Sequence, residues 1–257
     1  VENAIVEFAD DLYTQQVLDK GQVRLLNQMG SDLSVVAAAR VSNGESYEEA
    51  SHGVNKDARL INYLVKHRHG TPFEHATFQF YVKTPLFVRS EWHRHRMASY
   101  NEISGRYVKY DPEFYLPASF RVQSEDNKQG SVFPEDMNIV DLDTKELLFD
   151  EDYTLDEWNS YNAYILKRHA EQSFQLYETF VDRGVAKEMA RMVLPPNLYT
   201  QFYMTINARS LMNFLSLRAA EDAQWEIRQY ALAMKEMFKE AMPLTYKAWE
   251  GNGFIAP

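Results

Sequence analysis

The chain has 257 residues, a formal charge of -10 and no cysteine, with a pI near 5.2. Disulfides, thiolate metal sites and a cysteine nucleophile are therefore excluded. The acidic balance argues against a general nucleic-acid binder, whose affinity comes largely from positive surface.

Residues 1–19 carry acidic groups and no apolar run of signal-peptide length, and no run approaches a membrane span, so a cytoplasmic location without membrane partners is expected. Residues 22–26 read as a first strand, and Ser31 or Asp32 can cap a helix through 35–39. Residues 42–53 are polar and glycine-containing, hence a loop. From about Asp57 the apolar residues Leu60, Ile61, Leu64 and Val65 recur at helical spacing, in a helix that Gly70 should stop before Pro72. Residues 77–83 alternate as a strand. Thr84 and Pro85 suit the cap and first position of a short helix. That helix leads into 91–107, after which 106–110 read as a strand. Residues 121–157 hold many carboxylates and form an exposed acidic insertion. The capping box of Thr154 and Glu157 opens a long helix to Arg183, with Gly184 at its end. A short helix from Val185 carries Glu188 and Arg191 and ends at Pro195. Residues 198–206 alternate as a strand, and Asn207 stands where a helix N-cap belongs. Arg209 and Asn213 share one face of that helix, whereas Arg218 falls about 180° away, so one helix can address two ligands. A last amphipathic helix spans 225–241.

The densest chemistry lies in 91–107, with Glu91, His93, Arg94, His95, Arg96, Asn101, Glu102, Ser104, Gly105 and Arg106. A serine hydroxyl, the amides of a glycine turn and a guanidinium fork suit a phosphate dianion, which makes 104–106 a candidate phosphate seat. A basic solvated loop is the plain alternative. His67/His69 and His93/His95 are His-x-His pairs, a pattern that ligates zinc or iron when carried on a strand. At a helix end, residues two apart do not face each other, so no metal site is expected. Arg191 and Arg218 could simply pair with carboxylates such as Glu188 or Glu221. Ser104 has no base at triad spacing and reads as a phosphate ligand, not a nucleophile.

The order Arg-His-Arg, four residues, then Asn-Glu-x-Ser-x-Arg closely resembles the signature of the flavin-dependent thymidylate synthases. Segments 69–75 (HGTPFEH), 190–195 (ARMVLP) and 207–215 (NARSLMNFL), followed by Arg218, resemble that family in the same order. The resemblance implies an α+β fold, an antiparallel or mixed sheet packed with long helices. It covers the chain from about residue 20 to 245, and a single catalytic domain, 1–257, with the acidic insertion at about 121–157, is expected. It implies FAD as cofactor, NADPH and methylenetetrahydrofolate as co-substrates, and reductive methylation of dUMP to dTMP in a homotetramer with shared active sites. By position, Glu91, Arg94, Glu102, Ser104, Gly105, Arg106, Arg191 and Arg218 are implied for dUMP. Thr71, Arg94, His95, Arg96, Glu102, Asn207, Arg209 and Asn213 are implied for FAD. His69 belongs on the flavin or folate side. Arg218 would face the uracil edge, stabilising negative charge at N3 without a covalent adduct. The acidic insertion, and Asp222 where some members carry histidine, depart from the family pattern. Two other classes fit parts of the sequence: a metal-dependent nucleotide hydrolase using the His-x-His pairs, and a non-catalytic nucleotide- or RNA-binding protein using the arginines.

Overall fold

The computed structural model describes residues 13–125, 127–128, 130–135, 139 and 153–257. The N-terminal half runs β1 (Thr14–Val17), β2 (Gly21–Met29), α1 (Asp32–Arg40), α2 (Val54–Lys66), β3 (Thr77–Pro85), α3 (Leu86–Trp92) and β4 (Ala98–Glu102). A two-stranded ribbon follows, β5 (Val122–Gln123) with β6 (Ser131–Val132). After it come α4 (Leu155–Asp182), α5 (Lys187–Ala190), β7 (Tyr199–Asn207), α6 (Ala208–Arg218), α7 (Trp225–Ala241) and α8 (Pro243–Gly251).

The main sheet has the order β1-β2-β3-β7-β4 and every pairing in it is antiparallel, which decides between the antiparallel and mixed alternatives. Period-two alternation sends Phe78, Phe80 and Val82 of β3, with Phe202, Met204 and Ile206 of β7, to one buried face. Helices α6 and α7 cover that face with Leu211, Phe214, Tyr230 and Phe238. A smaller second core joins Phe174 and Tyr177 of α4 to Phe114, Ala190 and Leu198.

The expected caps of the later helices are present. Thr154 and Glu157 form the reciprocal capping box of α4, and Asn207 Oδ1 accepts from the Ser210 amide at 2.9 Å. Several boundaries differ from the sequence expectation. Helix α2 ends at Lys66, because Arg68 takes the left-handed φ of 56° and closes the turn with the His69 amide on the Leu64 carbonyl. Gly70 is therefore not its stop. Pro85 is the cap of α3 and Thr84 the penultimate residue of β3. Residues 106–110 are not a strand: the amides of Tyr107 and Val108 both donate to the Ser104 carbonyl and fold the chain into a turn. The strand lies earlier, at β4. Strand β1 and helix α8 are additions to the sequence reading.

Candidate active site

Antiparallel pairing brings distant motifs together. Asn207, the end of β7, pairs with Thr77 at the start of β3, and Ile206 beside it pairs with Ala98 at the start of β4. The segments just outside these termini, 71–75, 93–97 and 207–213, therefore meet at one end of the sheet. They enclose a cleft of about 600 Å³ lined by Glu74, Arg94, His95, Arg96, Met97, Ile206, Arg209, Ser210, Asn213, Leu217, Arg218, Ala256 and Pro257. The strongly acidic chain thus sets four arginines against one carboxylate in a single cavity, a field that concentrates small anions.

Arg218 ends α6 and points back at α3. Its Nη1 lies 3.1 Å from Glu91 Oε2, its Nη2 donates to the Glu91 carbonyl at 3.3 Å, and its Nε donates to His95 Nε2 at 2.9 Å. Its carboxylate partner is thus Glu91, not Glu221. Burial, and then the Arg218 charge, push His95 down to about 4. The ring is neutral at pH 7, and accepting at Nε2 assigns its proton to Nδ1. Trp92, fully buried and stacked on Phe214 at 4.8 Å, anchors the end of α3 that presents this group.

The two His-x-His pairs differ, because His67 and His69 meet edge to face with ring centroids 6.5 Å apart and His93 and His95 pack on separate partners. His93 packs on Tyr100 and Phe202, whereas His95 packs on Phe214. His67 and His69 lie against Tyr63, exposed and outside the cleft lining. Among the described residues there is no cluster of three or more metal-ligating side chains.

The candidate phosphate seat lies elsewhere. Glu102 and Phe202 pair at the opposite end of β4, roughly 14 Å along the strand from Ala98. Ser104, Gly105 and Arg106 follow Glu102, and Arg191 precedes β7 at that same end. Glu102 is held by the Arg89 guanidinium and by the Thr200 hydroxyl at 2.7 Å. Ser104 Oγ accepts from the Arg106 amide at 3.3 Å. Gly105 is buried under Tyr110, whose ring a Cβ there would strike. Arg106, not Arg191, pairs with Glu188, at 2.9 Å, with both side chains more than half exposed. A pair so exposed contributes little, about 0–1 kcal/mol, and exchanges readily for a ligand.

Of the residues expected at FAD, the structure gathers Arg94, His95, Arg96, Arg209 and Asn213 in the cleft. Asn207 serves as the α6 cap beside it, Thr71 begins the short 3-10 segment that carries Glu74, and Glu102 lies with the remote group. The expected dUMP residues divide, with Glu91, Arg94 and Arg218 at the cleft and Ser104, Gly105, Arg106 and Arg191 at the far end. Glu74, Leu217 and the 256–257 tail were not among the sequence candidates. Glu74 stood inside the 69–75 motif, and that membership was the one available signal.

The family description "Thymidylate synthase complementing protein" matches residues 24–244. The chain belongs to that family. Among curated thymidylate synthase complementing relatives, the flavin-dependent thymidylate synthase of Thermus thermophilus is 46% identical over 237 residues, 92% of this chain and 78% of the relative. That of Thermosipho melanesiensis is 45% identical over 234 residues, 91% of this chain and 92% of the relative. In three dimensions the chain is similar to the UMP/dUMP methylase PolB from Streptomyces cacaoi, solved with 5-Br dUMP. The TM-score is 0.78 at 32% identity, covering 95% of this chain and 100% of that one. Among the described residues no helix is long and apolar enough to cross a membrane.

Proposed function

We propose that this chain is a flavin-dependent thymidylate synthase that methylates dUMP at C5, with methylenetetrahydrofolate as carbon donor and NADPH as reductant. The observation that carries this reading is the convergence of Arg94, Arg96, Arg209 and Arg218 on one cleft at the family-matched positions. The cleft suits a flavin dinucleotide on its own chemistry. It is large, it is cationic, it opens on the N-terminus of α6, where the helix dipole favours phosphate, and Ile206, Met97 and Leu217 supply apolar wall.

Arg94, His95, Arg96, Arg209 and Asn213 would hold FAD, with Thr71, Asn207 and Glu102 as further contacts. The chemistry FAD supplies when bound is hydride transfer, taken from NADPH and passed to the carbon that methylenetetrahydrofolate delivers. Arg218 acts on the uracil. Its permanent charge is already fixed by Glu91 and neutral His95, so it stabilises negative charge at N3 without reorganising. This makes C5 nucleophilic in a protein with no cysteine to add to the ring. His69 stands on the flavin or folate side. Ser104, Gly105, Arg106 and Arg191 seat the nucleotide phosphate with Glu102 beside them, and Glu91 and Arg94 serve the same nucleotide from the cleft of another copy.

We assign these roles to a single catalytic domain, 1–257, with the acidic insertion at about 121–157. The enzyme is a homotetramer with shared sites, located in the cytoplasm where reduced nicotinamide and folate are supplied. The separation of the phosphate seat from Arg218 within one chain supports sharing between copies.

Arg218→Ala tests the reading. The variant should bind FAD and show its visible bands, yet lose about 10²- to 10³-fold in dTMP formation. Turnover at the normal rate would remove Arg218 from the mechanism.

A further inference from the structure

Arg209 stands in the first turn of α6, where a long cation would ordinarily sample many rotamers. It is held on three sides. Its Nη1 donates to Glu74 Oε1 at 2.6 Å and its Nε to the Pro257 carbonyl at 3.0 Å. On the third side its guanidinium lies so close over Gly70 that a Cβ there would overlap it. Gly70 has φ −75° and ψ −30°, a backbone conformation open to any residue. The local turn does not require glycine; the passage of Arg209 does. The tail that supplies the carbonyl is itself fixed. Ser216 Oγ donates to the Phe254 carbonyl at 2.5 Å, and the Phe254 ring packs on Trp249 with Lys235 Nζ 3.3 Å from its centroid.

We propose that Gly70, Glu74 and the tail segment 254–257 are positioning elements that aim Arg209 at an anionic group in the cleft. Under the reading above, on which this inference rests, that group is the pyrophosphate of the flavin dinucleotide. A guanidinium has five N–H donors. Protein acceptors engage Nε and one proton of Nη1, which leaves three donors, two of them on Nη2, for the ligand. Fixing the side chain before binding removes the entropy that ordering it would otherwise cost. Glu74 gives the proposal a sharp sign. A carboxylate beside an anion site opposes binding by charge alone, so a purely electrostatic account predicts tighter FAD binding when Glu74 is removed. Positioning predicts the reverse.

The experiment is a titration of flavin-free protein with FAD, followed by fluorescence, for the wild type and for Arg209→Ala, Glu74→Ala, Glu74→Gln and Gly70→Ala. Glu74→Ala should weaken FAD about threefold, the scale of a half-exposed ion pair. Glu74→Gln, whose amide oxygen still accepts, should recover most of that loss. Gly70→Ala should weaken FAD with the melting temperature of the flavin-free protein unchanged. Wild-type or tighter binding by Glu74→Ala and Gly70→Ala, with Arg209→Ala weakened, overturns the inference and leaves the flavin reading of the cleft standing. Wild-type binding by all four variants overturns both.

Discussion

His95 concentrates the electrostatics of the site in one side chain. Burial first, and then the neighbouring Arg218 cation, lower its pKa from 6.5 to about 4. Between those values the unfolded chain binds a proton that the native state refuses, so stability rises with pH across the window and is fully present above about 6.5. As pH falls toward 4, protonation abolishes the Nε2 acceptor and sets a second cation against Arg218. The wild type should therefore lose urea stability progressively between pH 6.5 and 4, and His95→Asn should flatten that slope. Parallel pH profiles for the two proteins would refute the assignment of a neutral ring. At this scale the sequence displayed the residue types but not their pairings. Arg218 with His95 is a contact 123 positions apart, and Arg209 with Glu74 spans 135, so neither follows from local spacing.

Elements whose signals are local were legible. Strands β3 and β7 carry unbroken alternation, α4 carries its capping box, and α6 starts at its asparagine cap. The failures have two causes. Ala98–Glu102 is polar and lacks a strand pattern; it is a strand because β7 offers it an edge. Residues 106–110 have the better local pattern and fold into a turn around Ser104 instead. Tertiary pairing outweighs propensity in the first place, and local turn bonds do so in the second. The loop between α1 and α2 is also fixed by a long-range feature, the buried pair of Arg40 with Asp57 at 2.8 Å. Burial works to raise the Asp57 pKa, but hydrogen bonds from Ser51, the His52 amide and Arg40 prevail and hold it below the usual carboxylate value. Asp57→Ala leaves Arg40 buried and unpaired, and should destabilise the protein by about 3–5 kcal/mol in denaturant titration. A loss under about 1 kcal/mol, the scale of an exposed pair, would mean that the clamp is not buried in solution.

For the whole molecule, topology decides which groups one chain brings to the same end of the sheet. Because β7 lies between β3 and β4, every segment that enters the sheet at Thr77 or Ala98, or leaves it at Asn207, serves the arginine cleft. Every segment at the Glu102 end serves the Ser104–Arg106 turn and Arg191. On the proposed reading of sites shared between copies, the phosphate seat of one copy completes the uracil site of another. Arg106→Ala and Arg218→Ala then remove groups contributed by different chains. Each variant alone should lose most dTMP formation, but mixed in equal amounts and allowed to exchange subunits they should regain roughly a quarter of wild-type activity, because random pairing restores both residues at that fraction of sites. Activity no higher than the mean of the two variants, with subunit exchange verified by mass, would return Arg106 and Arg218 to the same chain's site.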